Sequence, residues 1–292
     1  MYLLELIGNT PLVEIQHLNP NPKVRILGKL EGQNPGGSVK DRAAYNMIQS
    51  ALDRGQIKKG DRLVEATSGN TGIALAMIAK QLGVHMTLIM PAKATIERRQ
   101  VMKAYGADLI LTPADQSIED SRLLAEKMVA EEGYVMLDQF NNPDNAAMHY
   151  KTTGPEIWRD TQGQITHFVS AMGTTGTIMG TSRFLKEQNP QVQIVGTQPE
   201  EGSSIPGIRR WSPAFQPRIF DAKQVDLTIS VSEDEARRQA VALSQQEGIF
   251  SGMSSGGAFY AALQVAQQIE QGVVVFIVCD RGDRYLSSGI FD

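Results

Sequence analysis

"DRLVEATSGNTGIALAMIAKQLGVHMTLIM", residues 61–90, reads as strand, loop, helix and strand in succession. Residues 61–67 read as a short strand. A loop of glycine, serine and threonine follows, then 73–83 carry helical periodicity up to Gly83, and 84–90 read as a second strand. Strands that alternate with helices over such short connections build parallel sheets. The same alternation extends outward. "KVRILGKLE" (23–31) reads as a strand, a helix follows Ser38 and stops near Gly55, and 95–106 read as a helix capped by Thr95. "DLILT" (108–112) and "YVMLD" (134–138) read as strands flanking a helix from about Ser117 to Glu132. In the second half, 167–172, 192–198 and 273–278 are continuously apolar, as strands covered on both faces are. The expectation is an α/β protein of two three-layer αβα domains with mostly parallel, twisted sheets. The loop "DQFNNPDN" (138–145) is the candidate boundary between them.

The bulk properties exclude several classes. The chain has 292 residues, with 28 Lys+Arg against 32 Asp+Glu and a net charge of -4, and no basic run stands out. Nucleic acid and anionic membrane are therefore poor partners. No apolar run approaches the roughly 20 residues of a membrane span. The single cysteine, Cys279, rules out an internal disulfide and fits a reducing compartment. "MYLLELIGNTPL" lacks a basic leader and reaches a turn by Gly8, so no signal peptide is expected and the cytoplasm is the expected location. The four histidines are scattered and offer no metal-ligand spacing.

Three glycine-rich loops stand out: "ATSGNTGIALA" (66–76), "AMGTTGTIMG" (171–180) and "SGMSSGGAFYAAL" (251–263). Each is expected to follow an apolar strand and open a helix, presenting free amides at a positive dipole end. Gly173, Thr174, Thr175, Gly176 and Thr177 form the best candidate phosphate cradle, with hydroxyls beside the amides. It matches neither the Walker pattern nor GxGxxG, which disfavours a nucleoside triphosphate or a nicotinamide. "GMSSG" fits the nucleophile elbow of hydrolases, with Ser254 as nucleophile, but every histidine precedes Ser254 and the required chain order fails. In "NPGGSVKDRAAY" (34–45), the turn Asn34-Pro35-Gly36-Gly37 and the cap Ser38 put Lys40 in a first helical turn, where the dipole disfavours a cation. Such a lysine is pushed toward the neutral amine, and beside a phosphate cradle it suggests an aldehyde cofactor, pyridoxal phosphate. A surface lysine paired with Asp41 is the other reading of the same residues, and both stay open on local sequence.

The motifs taken together resemble a known family. "IGNTPL" (7–12), "KLEGQNPGGSVKDR" (29–42), "EATSGNTGIALA" (65–76), "AYGADLIL" (104–111), "DQFNNPDN", "GTTGT" (173–177), "GMSSGG" (252–257) and "GDRYLSSG" (282–289) occur in order over nearly the whole chain. They resemble the fold-type II pyridoxal-phosphate enzymes, and within them the O-acetylserine sulfhydrylases, or cysteine synthases. The resemblance implies a cofactor cleft between a smaller mobile domain, 38–145, and a larger one built from 1–37 and 146–292. It makes Lys40 the Schiff-base lysine and the base at Cα. By the same resemblance Asn70 bonds the cofactor's 3′ oxygen and residues Gly173 to Thr177 hold the phosphate. Ser254 faces the pyridine nitrogen, and Thr67, Ser68, Thr71 and Gln139 hold the substrate carboxylate. A serine at the ring nitrogen holds its proton weakly, which suits β-elimination and replacement better than transamination. The implied reaction replaces the acetoxy group of O-acetyl-L-serine by sulfide, in a homodimer.

"EEGSSIPGIRRW" (200–211) and "VCDRGDRY" (278–285) resemble the B isoform of these enzymes, which also accepts thiosulfate. Guanidinium groups bind such a dianion through paired hydrogen bonds, and of the pair Arg209-Arg210 the second is expected to face the cleft. Rival readings are a serine/threonine dehydratase, a cystathionine β-synthase-like enzyme and a non-catalytic binding module.

Overall fold

The computed structural model describes residues 1–292, the side chain of residue 214 excepted. In chain order the elements are β1 (Leu12–Glu14), β2 (Val24–Leu30), α1 (Lys40–Asp53), β3 (Arg62–Ala66), α2 (Asn70–Leu82), β4 (His85–Pro91) and α3 (Ile96–Ala104). Then follow β5 (Asp108–Thr112), α4 (Ile118–Glu132), α5 (Pro143–Lys151), α6 (Thr153–Asp160), β6 (His167–Ala171) and α7 (Gly176–Gln188). The last are β7 (Gln193–Pro199), β8 (Leu227–Val231), α8 (Glu233–Glu247), α9 (Met253–Gln268) and β9 (Gly272–Val278), before a 3₁₀ turn at Gly282–Ser288.

Two sheets result. The larger has the order β1-β2-β9-β6-β7-β8, the smaller β3-β4-β5. Every pairing is parallel except that of β1 with β2. Both faces of each sheet are covered, which is why the strands read as continuous apolar runs. In the larger sheet Val169, Val195 and Phe276 pack with Phe259 and Ala262 of α9. Their neighbours Phe168, Ile194 and Val275 point the other way, toward Ile178 of α7. In the smaller sheet Leu63 and Leu88 face Ile48 of α1 and Ile73 and Leu75 of α2. On its other face Val64 and Ile89 meet Ala125 and Met128 of α4.

Two expectations fail locally. "YVMLD" forms no strand: only Val135 makes a parallel bridge, to Leu63, because the chain then turns through Asp138 (φ 50) toward the candidate boundary loop. Thr95 precedes α3 without capping it by its side chain, and its hydroxyl is buried with no partner. Ser117, by contrast, caps α4 by accepting from the Asp120 amide at 3.3 Å. No helix among the described residues is long and apolar enough to cross a membrane, and no group of His, Cys, Asp or Glu among them could hold a metal ion.

Candidate active site

The site is assembled where the C-terminal ends of strands from both sheets converge, as open α/β sheets favour. β9 fixes the lysine. The Val39 amide donates to the Cys279 carbonyl at 2.8 Å, and Ser38 bridges to Asp280. The Ser38 hydroxyl accepts from the Lys40 amide at 3.2 Å, so α1 starts at Lys40. The Lys40 side chain is half-buried, and its ammonium has no hydrogen-bond or ion-pair partner among the described residues. It does not pair with Asp41, whose carboxylate turns back to accept from the Gly36 amide at 2.5 Å. Burial pushes the Lys40 pKa below the ordinary lysine range, against the opposing pull of Cys279, Asp280 and Glu31. The neutral amine, the nucleophilic form, is thereby favoured.

Two of the three glycine-rich loops join a strand to a helix as expected: one from β3 to α2, the other from β6 to α7. The third does not. It links α8 to α9, with Ile249-Phe250-Ser251 running between them outside either sheet. It reaches the site all the same, with Ser254 buried in the first turn of α9. Ser254 packs against Gly207, where a Cβ would stand 3.3 Å from the serine Cβ. The Cys279 thiol lies beside Ser254 and Lys40, and burial raises its pKa to about 11, so it stays neutral.

The β6–α7 loop has the features of an anion cradle. Thr175 sits in the left-handed region (φ 69), which aims its neighbours' amides inward at the start of α7. Its hydroxyl is buried and unpartnered. Glycine is required next to it, since a Cβ on Gly176 would lie 2.0 Å from the Asn145 amide oxygen. Asn145 donates to the Thr174 hydroxyl at 3.0 Å and to the Gln139 carbonyl at 2.8 Å. Behind Thr177 stands His149, 3.3 Å from its hydroxyl and 2.8 Å from that of Thr153. Burial, aided by the nearby Arg42, lowers the His149 pKa to about 3 and keeps it neutral. An orphaned hydroxyl and free helix-start amides fit a phosphate group, and a half-buried neutral lysine fits an aldehyde.

The loop before α2 is tied to this cradle. The Thr71 hydroxyl donates to Gln139 at 2.7 Å, so Thr71, Gln139, Asn145 and Thr174 form one chain of contacts across the two sheets. Thr67 accepts from the Gly69 amide at 3.4 Å, while Ser68 and Asn70 are half-buried at the same helix start. The structure thus brings together Lys40, Thr67, Ser68, Asn70, Thr71, Gln139, Ser254 and residues 173–177. Arg210 does not join them. It is exposed, and its guanidinium reaches only the Pro199 carbonyl, at 3.5 Å. Its neighbour Arg209 lies over the rings of Phe140 and Trp211, and Trp211 donates to the Gly173 carbonyl at 2.9 Å. Arg209 is exposed as well, and its amide donates to the Met172 carbonyl at 2.9 Å.

Sequence reasoning missed Asn145, His149, Asp280 and Arg284. Asn145 and His149 lie on a helix that carries no glycine-rich signal. Asp280 and Arg284 act on Asn70 over sequence separations of 210 and 214.

Comparison with known proteins agrees with this geometry. Residues 3–280 match the family described as pyridoxal-phosphate dependent enzyme. Cysteine synthase B of Pseudomonas aeruginosa is 56% identical over 290 residues, covering 99% of this chain and 97% of that protein. Cysteine synthase B of Escherichia coli is 57% identical over 289 residues, covering 99% and 95%. Among solved structures, a cysteine synthase from Entamoeba histolytica superposes with a TM-score of 0.93 at 39% identity, covering 99% of this chain and 90% of that one. An O-ureido-L-serine synthase gives 0.94 at 36% identity, covering 99% and 94%. With its unpaired helix-start lysine, its hydroxyl-rich anion cradle and these relatives, the chain belongs to the pyridoxal-phosphate dependent enzymes, among the cysteine synthases.

Proposed function

We propose that the protein is a cysteine synthase that replaces the acetoxy group of O-acetyl-L-serine by sulfide, giving L-cysteine and acetate. The observation that carries this reading is Lys40: half-buried, unpaired and depressed in pKa at the start of α1. Bound pyridoxal 5′-phosphate supplies the sink for the electron pair left at Cα, and Lys40 takes the proton from that carbon. Residues Gly173 to Thr177 hold the phosphate and Ser254 meets the ring nitrogen. Thr67, Ser68 and Thr71, with Gln139, receive the substrate carboxylate at the N-terminus of α2, where several amides point outward. We treat 38–145 as the smaller part that closes on substrate, since the carboxylate loop lies on one sheet and the phosphate cradle on the other. A homodimer in the cytoplasm is inferred from the family resemblance and the lone, unbridged cysteine.

Thiosulfate is proposed as a second sulfur donor, giving S-sulfocysteine. Its dianion needs a cation near the cradle, and the stacking of Arg209 on Trp211, which donates to the Gly173 carbonyl, supports Arg209 over Arg210 for that role. One set of assays tests both statements. O-acetylserine with sulfide is expected to give cysteine, while serine alone and serine with homocysteine give no product. Arg209→Ala is expected to cut turnover with thiosulfate about tenfold more than with sulfide, of the order expected for a lost charge-assisted bond, and Arg210→Ala is expected to affect neither. Product from serine alone would move the reading to a dehydratase, and equal losses in Arg209→Ala would make that arginine structural.

A further inference from the structure

Asn70 is held from both ends. Its amide nitrogen donates to Asp280 Oδ2 at 2.7 Å, and its amide oxygen accepts from Arg284 Nη1 at 2.6 Å. A guanidinium only donates and a carboxylate only accepts, so this pair admits one orientation of the amide and excludes the flipped one. Both partners are themselves fixed. Asp280, 1% exposed, accepts from the Gly252 amide at 3.1 Å and from the Tyr285 hydroxyl. Arg284, 8% exposed, also donates to the Gly36 carbonyl in the turn that precedes Lys40. Tyr285 is in turn covered by the guanidinium of Arg98, 4.7 Å from its ring. What remains free on the half-buried Asn70 side chain is its second N–H.

We propose that Arg284 and Asp280 are positioning residues that make Asn70 a hydrogen-bond donor, and never an acceptor, toward the phenolic oxygen of pyridoxal phosphate. This rests on the reading above, in which Asn70 faces that oxygen. The chemical consequence follows from polarity. A donated N–H stabilises the anionic phenolate and leaves the proton on the nitrogen supplied by Lys40, which is the visible-absorbing form of the cofactor. A flipped amide would present its oxygen instead, and would favour the neutral phenol, which absorbs in the near ultraviolet. The bond from Arg284 to the Gly36 carbonyl fixes the guanidinium that orients Asn70.

The test is the resting absorption spectrum of the holoenzyme, measured for the parent and for Arg284→Met, Asp280→Asn, Asn70→Ala and the double variant Asn70→Ala with Arg284→Met. Arg284→Met and Asp280→Asn are each expected to shift the ratio of the two bands toward the near-ultraviolet form by about tenfold, the size of one lost hydrogen bond to a charged group. Adding Arg284→Met to Asn70→Ala is expected to move the ratio no further. Unchanged spectra in both single variants would overturn the proposal. So would an equal shift from Arg284→Met whether or not Asn70 is present, since the arginine would then act by another route. If Arg284→Met does not fold, Asp280→Asn decides, because it leaves Arg284 on Gly36. A parent without a visible band would refute the site itself, and an unchanged Asn70→Ala spectrum would refute only the placement of Asn70 at the cofactor.

Discussion

Lys40 shows how much a single position can be made to do by its surroundings. It stands at a helix start, half-buried, with its ammonium unpaired, and each of these disfavours the charged form. The nearby carboxylates of Glu31 and Asp280 limit that shift. Glu31 is committed elsewhere, since it receives Arg42 at 2.7 Å. Removing the amine separates two jobs. Lys40→Ala leaves the Gly173–Thr177 cradle intact, so cofactor is expected to remain bound through its phosphate, retained on desalting but no longer fixed by borohydride. Turnover is expected to fall by about 10²–10⁴-fold or more, the usual contribution of a positioned base. Loss of cofactor together with activity would show that the cradle alone does not hold it. The lysine was legible in the sequence because its clues are local: a turn, a cap and a helix start within seven residues of chain, 34–40.

At the scale of elements, α1 is placed by charge as much as by packing. Arg42, fully buried, bonds Glu31 through Nε at 2.7 Å and Glu156 through Nη2 at 2.7 Å, and Lys29 meets Glu156 at 2.7 Å. These four side chains tie β2 and α6 to the helix that carries Lys40 two residues earlier. Glu156 is pulled down to about pH 2, since its bonds to Arg42 and Lys29 outweigh desolvation. A buried pair is weak evidence for stability, yet breaking one strands its partners. Arg42→Met is therefore expected to cost about 3–5 kcal/mol in urea unfolding, whereas a loss below about 1 kcal/mol would show that water or relaxation rescues both carboxylates. None of this could be read from periodicity. The apolar runs of β6, β7 and β9 announce buried parallel strands, but nothing in "KLEGQ" or "PEIWRD" states that Lys29 and Glu156 meet. The failures have the same origin. "YVMLD" has a strand's composition but is turned away after one bridge, and the loop before α9 has a strand-to-helix composition without a strand. Arg209 and Arg210 are identical in chemistry, and only the folded chain gives them different contacts, Arg209 with Phe140 and Trp211 and Arg210 with the Pro199 carbonyl.

For the whole molecule, the arrangement places one sheet's loop against the other's, and the price is a set of buried acids at the junction. Glu65 is the penultimate residue of β3, just before the carboxylate loop, and is 5% exposed. Burial, aided by the charge of the neighbouring Asp138, which precedes Gln139, raises its pKa to about 8. In the unfolded chain it returns to the ordinary value of 4.5. The folded state thus binds one more proton than the unfolded state between those two values, so stability falls as pH rises through them. Asp41, raised to about 7 by burial, adds a loss of the same sign. His149 has the opposite sign, but it acts only below its ordinary 6.5 and down to about 3. It therefore cannot offset the alkaline loss. Glu65→Gln keeps the shape and removes the titration. The drop in urea midpoint between about pH 6 and pH 9 is expected to be large in the parent and smaller in the variant, by the equivalent of about 2 kcal/mol. An equal drop in both would mean that Glu65 is ionised in the folded protein, and that Arg122, which pulls on both Glu65 and Asp138, compensates the pair.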